Sequence, residues 1–297
     1  YALAVAQRLK RLKPDGIEVH NRPDIALMLR RLLPSLPIML VLHNNPCGMR
    51  RAKTPQERTK LAKVVSVVAV SQWVKDRFLS QGAQGRVDIL PNSFDGSELP
   101  PLPTQRDKTI LFAGRIVADK GADAFVTMCA QVLPNYPTWR AEMIGADRFG
   151  PNSPETPFLA ALRPKAQQAG IVMAGYQPHA AVLHAMARAA IVVVPSRWPE
   201  PFGMVALEAM ACGAALVVSD TGSLPDVVGD AALFCNPDNH TEFAATVTRL
   251  MTDATLRAEL TQKGLQRAQA FKTETLRTQR EQFQRSCVRA WRLRSGP

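Results

Sequence analysis

Two carboxylates separated by seven residues carry the strongest chemical signal in this 297-residue chain: Glu200 and Glu208, inside SRWPEPFGMVALEAMACG (196–213). Glu200 precedes a turn built around Pro201 and Gly203. Glu208 falls about one and a half turns inside the helix that follows. The unsatisfied N–H groups of Gly203 and Met204 at the helix start form an anion site, and Glu200 stands beside whatever leaving group is held there. Around Glu208 the residues Val205, Ala206, Leu207, Ala209, Met210 and Ala211 are all apolar. A carboxylate in such a helix is costly without a partner, and vicinal hydroxyls of a ligand would supply one. A second cluster lies upstream in TILFAGRIVADKGADAFVTM (109–128), where an apolar run ends at Gly114 and is followed by Arg115, a short loop, Lys120 and Gly121. Arginine offers phosphate a bidentate fork and lysine a point charge. A site that releases a diphosphate without a metal needs such cations. The G-x-G-x-x-G fingerprint is absent, which argues against a nicotinamide enzyme.

These residues require strands to hold them. Ten short apolar or β-branched runs are candidate strands: 16–20, 37–43, 64–71, 87–91, 109–114, 140–145, 170–175, 190–196, 214–219 and 232–236. Continuous apolar runs bounded by turn residues mark strands of a parallel sheet covered on both faces. Helical patterns lie between them at 23–33, 71–81, 121–134, 179–189 and 203–212, and the opening residues YALAVAQRLKRLKPDG also read as a helix. Alternation of this kind predicts doubly wound α/β architecture. Both chemical clusters then sit at carboxyl ends of strands, where open α/β sheets bind ligands. A stretch rich in Pro, Ser, Gly and Asp, with four prolines between 91 and 103, separates two α/β arrays. The expected domains are 1–95, a linker over 96–108, 109–264, and a basic helical segment over 265–297.

The chain is 46% hydrophobic and 21% charged, which excludes disordered and coiled-coil classes, and no apolar run approaches the length of a transmembrane helix. Net charge is +12, with +8 in residues 1–100, −2 in 101–240 and +6 in 241–297. Basic ends suggest an anionic membrane surface as a partner, and Trp291 in the basic C-terminal helix is the candidate interfacial anchor. Only 6% of residues are aromatic, and no zinc spacing or RNP-type run occurs, so nucleic acid is not an expected partner. The five cysteines, Cys47, Cys129, Cys212, Cys235 and Cys287, are widely spaced and odd in number. They read as reduced, buried apolar filler in a cytoplasmic protein. His179, His184 and His240 have no carboxylate or Cys partners at ligand spacing and read as structural.

Gly114-Arg115 to Lys120-Gly121, followed after about 85 residues by Glu200-x7-Glu208 within P-F-G and E-A-M-A-x-G, closely resembles the retaining glycosyltransferases of family 4. The similarity runs from about residue 16 to residue 270. It implies a GT-B fold, two Rossmann-like doubly wound domains facing a cleft, with the later domain holding a nucleotide-diphosphate sugar. On this resemblance Gly114, Arg115 and Lys120 serve the diphosphate, Glu200 faces the donor sugar, Gly203 and Met204 meet phosphate through their backbone, and Glu208 holds the ribose hydroxyls. Val205 lines the nucleoside side and Tyr176 the base pocket. TGSLPDVV (221–228) resembles the family's following loop, commonly G-G-x-x-E, from which Thr221-Gly222 and Asp226 depart mildly.

In the first domain, LVLHNNP (40–46) resembles the strand end whose His faces the sugar, which points to His43; His20 in VHNRP (19–23) is a similar strand end. The opening strand with a Gly-rich turn is not found, so the first domain is expected to be incomplete. The implied activity is transfer of a hexosyl group from a UDP- or GDP-linked donor to a glycan or lipid-linked acceptor with retention, in bacterial surface polysaccharide or lipopolysaccharide synthesis. No cofactor or metal is implied. Its implied location is the cytoplasm or the inner face of the plasma membrane. The alternatives are a nucleotide-sugar-binding but inactive module and a GT-B nucleotide-sugar epimerase, a class without the P-F-G-x-x-x-L-E-A-M block.

Overall fold

A computed structural model describes residues 1–147 and 155–295. The chain forms two compact units, Tyr1–Ser93 together with the segment from Glu274, and Phe94–Thr273. The first unit begins with α1 (Ala2–Leu12), β1 (Ile17–His20), α2 (Pro23–Leu32), β2 (Ile38–Leu42), α3 (Pro55–Val64), β3 (Ser66–Ala69), α4 (Gln72–Leu79) and β4 (Val87–Ile89). Its strands form a parallel sheet in the order β1-β2-β3-β4. β2 is buried at every position, the reason IMLVL is an unbroken apolar run.

The expected strand over 64–71 is shorter in the structure, because Val64 closes α3 and Ser71 caps α4 through the Val74 N–H at 3.2 Å. Helix α3 has no apolar stripe to announce it; a capping box between Thr54 and Glu57 starts it instead. Arg58 anchors it. This side chain is fully buried, and its guanidinium donates to the carbonyls of Phe78 (2.6 Å), Ala52 (3.1 Å), Lys53 (2.9 Å) and Ser80 (2.8 Å). Backbone oxygens thus satisfy the buried cation, which forms no salt bridge among the described residues.

The second unit contains β5 (Asp107–Ala113), α5 (Ala122–Val132), β6 (Arg140–Ile144), α6 (Pro157–Gln168), β7 (Ile171–Gly175), α7 (His179–Arg188), β8 (Ala189–Val194), α8 (Met204–Ala211), β9 (Ala215–Ser219), α9 (Leu224–Val228), β10 (Ala232–Cys235), α10 (His240–Thr252) and α11 (Ala254–Gln269). Six parallel strands are ordered β10-β9-β8-β5-β6-β7. The chain winds outward from β5 through β6 to β7, then returns to β8 on the other side of β5. The switch point of the sheet is therefore between β5 and β8, and a crevice opens there at the carboxyl ends. Phe112, Phe125, Met128, Ile191, Val193 and Phe243 belong to the core beneath it.

The unit boundary falls at Ser93/Phe94 rather than at 95, and β5 begins at Asp107, inside the expected linker. Proline-rich composition marked irregular backbone, but that backbone is held by the second unit: Phe94 is 7% exposed, and Arg106 donates to Cys212 O at 2.8 Å and to Ala187 O. The C-terminal segment is likewise two elements. After α11, residues 270–272 break the helix; the Phe94 N–H donates to Phe271 O (3.2 Å) and the Thr273 N–H to Phe94 O (3.0 Å). The last helix, α12 (Thr273–Ser295), belongs to the first unit from Glu274 onward, where Gln284 Nε2 donates to Glu18 Oε1 at 2.8 Å. Trp291 is not an exposed anchor: its ring is half-buried, with the Arg30 guanidinium 4.1 Å above it. No described helix is long and apolar enough to cross a membrane. All five cysteines are free thiols. Four are buried, but Cys47 is half-buried and polar in its contacts, its Sγ donating to Arg77 O at 3.3 Å.

Candidate active site

The loop after β5 and the loop after β8 meet at the switch point. Gly114 extends the sheet, its N–H donating to Ile144 O at 3.0 Å, and Arg115 follows on the exposed side. A turn at Ala118–Lys120 then leads through Gly121 into α5. The β8 loop is stitched to this turn. The backbone N–H groups of Arg197 and Trp198 both donate to Asp119 O at 2.9 Å. The Arg197 guanidinium donates to Ala118 O (2.8 Å), Asp123 Oδ1 (2.7 Å) and Asp238 Oδ1 (2.6 Å). Nothing in the sequence spacing flagged Arg197, because its three acceptors come from segments that only the fold assembles.

This stitching brings Lys120 and Glu200 together as a salt bridge, with side chains 23% and 13% exposed. The cation and carboxylate therefore face each other in a partly desolvated position, beside the start of α8. Gly203 caps that helix with φ of 93°, a left-handed conformation that suits glycine, and no side chain caps its N–H groups. Met204 and Val205 are half-buried at its first two positions. On the other side of Glu200 the loop before α9 closes tightly. The Ser223 N–H donates to Glu200 O at 2.8 Å and the Ser223 hydroxyl to Pro201 O at 2.8 Å. Gly222 has φ of +62°, and a Cβ there would lie 2.3 Å from the Glu200 nitrogen.

Glu208 emerges from α8 with its side chain 15% exposed, between buried Leu207 and Ala209. Burial holds its carboxyl above the ordinary value, and the His179 side chain opposes that shift. His179 Nε2 lies 3.1 Å from Glu208 Oε1, and its Nδ1 lies 3.7 Å from Glu98 Oε2. The expectation that His179 is a partnerless structural residue is thus corrected. Its partners lie 29 residues ahead and 81 behind, beyond any local spacing rule. Tyr176, 49% exposed, lines a cavity of about 290 Å³ at the carboxyl ends of β6 and β7, with Ile116, Gly145, Asp147 and Arg163. Among the described residues, no group of three or more His, Cys, Asp or Glu is arranged to hold a metal ion.

His43 belongs to the first unit. It follows β2, is half-buried, and its backbone N–H donates to Asn21 Oδ1 at 2.7 Å. Its Nε2 lies 2.8 Å from His20 Nδ1. Burial and the neighbouring His20 hold the His43 ring below its ordinary pKa.

Two parallel sheets covered by helices, with cations and a helix start at the switch point of the second, define an α/β protein of GT-B architecture. The chain belongs to the glycosyl transferases group 1, whose family model matches residues 100–267; the Glycosyltransferase Family 4 model matches residues 1–98. It is 25% identical over 298 residues to YtcC of Bacillus subtilis (strain 168), spanning 93% of this chain and 73% of that protein. It is 38% identical over 105 residues to the O-antigen chain mannosyltransferase B of Escherichia coli, spanning 35% of this chain and 27% of that protein. Among solved structures, Anabaena Alr3699/HepE in complex with UDP superposes with a TM-score of 0.81 at 20% identity, covering 96% of this chain and 82% of that one.

Proposed function

We propose that the chain transfers a hexosyl group with retention from a UDP- or GDP-linked donor to a glycan or lipid-linked acceptor of bacterial surface polysaccharide synthesis. The observation that carries this reading is the Lys120–Glu200 pair at the head of α8, beside the switch point. Lys120, Arg115 and the N–H groups of Gly203 and Met204 form a positive wall for a diphosphate. On this reading Glu208 accepts from two ribose hydroxyls in place of the contact it makes with His179. Glu200 stands at the phosphate side of the sugar, and Tyr176 with Val205 flanks the nucleoside. His43 is assigned to the sugar through the family resemblance. The relatives' descriptions support transferase chemistry, and HepE has been solved with UDP and with UDP-glucose.

In the reaction the bond from the anomeric carbon to the diphosphate oxygen breaks through an oxocarbenium-like state. The acceptor hydroxyl adds on the same face, and its proton passes to the departing phosphate oxygen. The site contributes positioning and charge stabilisation on the leaving oxygens. On this reading the chain works in the cytoplasm, with the basic first unit touching the inner face of the plasma membrane.

Calorimetric titration with UDP, GDP and their sugars tests the donor half, and product formation on lipid-linked or free glycan acceptors tests transfer. NMR of the new glycosidic linkage reads retention. Absence of binding to any nucleotide overturns the proposal; binding without transfer to any acceptor selects the inactive-module alternative. Flotation with anionic liposomes at low and high salt tests the membrane contact, which fails if no binding occurs at low salt.

A further inference from the structure

The first unit contains a row of titratable groups whose geometry has its own chemistry. Glu18 and His20 lie two residues apart on β1 and share a face of the strand. Glu18 Oε2 is 3.4 Å from His20 Nε2, His20 Nδ1 is 2.8 Å from His43 Nε2, and the two rings are stacked with centroids 5.1 Å apart. From α12, Gln284 Nε2 donates to the other Glu18 oxygen at 2.8 Å, so the carboxylate is held in place. Arg280 of α12 and the side chain of Asn92 also face His43. His20 is half-exposed, whereas His43 is the more enclosed ring.

Only one proton fits between two nitrogens 2.8 Å apart. A carboxylate beside His20 Nε2 demands an N–H there. In the neutral pair, His20 Nδ1 is therefore the acceptor and His43 Nε2 carries the shared proton, which leaves His43 Nδ1 without a proton; the Asn92 side chain, hydrogen-bonded to His43, favours a cation on the ring, while its burial, His20 and Arg280 oppose one. A proton that arrives at His43 Nδ1 has a low-cost outcome: the shared proton crosses from His43 Nε2 to His20 Nδ1. The positive charge then rests on His20, beside Glu18 and open to solvent, and away from the Arg280 charge that disfavours a cation on His43. Two cationic imidazoles at this separation are excluded by their mutual repulsion.

We propose that Glu18, His20 and His43 form a proton relay in which uptake of one proton places the charge on His20 while His43 stays neutral and exchanges its Nε2–H tautomer for the Nδ1–H tautomer. Glu18 and His20 are positioning residues for His43. The relay lets a ring in the first unit take or give a proton at Nδ1 without placing a cation there. Its use toward a sugar rests on the transferase reading; the relay itself does not, and its test needs no donor or acceptor.

The test is a pH titration of the 15N-histidine-labelled full chain, followed by two-bond ring correlations that distinguish both tautomers from the doubly protonated ring. With five histidines in the chain, His→Gln variants assign the signals. In the parent chain the two His43 ring nitrogens are expected to exchange their shift positions across the titration while the His20 nitrogens both move to the protonated position. In His20→Gln, which keeps a hydrogen-bonding side chain and carries no charge, His43 itself is expected to become doubly protonated, at lower pH than the transition of the parent pair, because the charge must then rest on the enclosed ring beside Arg280. In Glu18→Gln the transition of the pair is expected to move to lower pH. A His43 ring that becomes doubly protonated in the parent chain, or a His43 titration unchanged by His20→Gln in a variant whose amide spectrum shows the native fold, overturns the relay. A loss of nucleotide binding with the relay intact would count against the transferase reading alone.

Discussion

His179 Nε2 lies 3.1 Å from Glu208 Oε1, so the carboxylate in the otherwise apolar surroundings of α8 has a polar partner. The imidazole stands where ribose hydroxyls are proposed to bind. This makes His179 both a competitor for Glu208 and a support for its ionised form.

The pH dependence of nucleotide binding follows from that pair. Burial raises the Glu208 carboxyl and His179 lowers it again. Hydroxyls donate to the ionised form, so affinity for UDP is expected to be full at high pH and to fall as pH drops through the Glu208 value, which burial raises above that of an ordinary glutamate. His179→Ala removes the opposing influence, and the fall is expected to begin at higher pH. Calorimetry across pH 5 to 8 reads both midpoints; coincident midpoints in parent and variant would sink this account.

Truncating Lys120 and neutralising Glu200 are expected to separate binding from transfer. Lys120→Ala removes a charge-assisted contact to phosphate, worth about 1.5–3 kcal/mol, so UDP affinity is expected to drop roughly 10- to 150-fold. Glu200→Gln keeps the shape but frees Lys120 from its ion pair; UDP binding is expected to hold or tighten while transfer falls by about 100-fold or more. Measured Kd and kcat for both variants check the split.

Gly222→Ala tests the closure over Glu200. The new Cβ would lie 2.3 Å from the Glu200 nitrogen at φ of +62°, so the loop must shift. The expected cost is about 1–3 kcal/mol of stability in the second unit. Transfer is expected to fall more steeply than UDP affinity, since Glu200 moves while the head of α8 remains. Denaturant unfolding together with calorimetry distinguishes the two effects.

Arg58→Met is expected to destabilise the first unit by about 3 kcal/mol, since it deprives buried carbonyls of donors while roughly keeping the side-chain volume. Four of those carbonyls, at Ala52, Lys53, Phe78 and Ser80, lie 2.6–3.1 Å from the guanidinium. Urea unfolding monitored by tryptophan fluorescence, to which Trp73 and Trp291 of the first unit contribute, reads it, and an unchanged midpoint would show that water replaces the guanidinium.

Much of the fold was legible because its strands are short, continuous apolar runs. IMLVL at 38–42 and AAIVVV at 189–194 are buried at every position, the pattern of strands inside a helix-covered parallel sheet. Helix α3 was not legible, since it is anchored by a buried arginine in place of an apolar stripe. Helix α6 opens on Thr156-Pro157 and carries Pro164 inside it, which disguises its period.

The site divides in the same way. Chain order alone placed Glu200, Gly203, Met204 and Glu208 on one turn and helix, and Gly114, Arg115 and Lys120 on one strand end, because a motif within about ten residues is a local conformational statement. That Lys120 pairs with Glu200, that Arg197 ties their loops, that His179 reaches Glu208 and that His20 meets His43 was decided by tertiary structure. Those partners are separated by 80, 79, 29 and 23 residues respectively. Contacts at such distances exist only once parallel strands bring their carboxyl-end loops to a common edge, and the packed core beneath them sets the register.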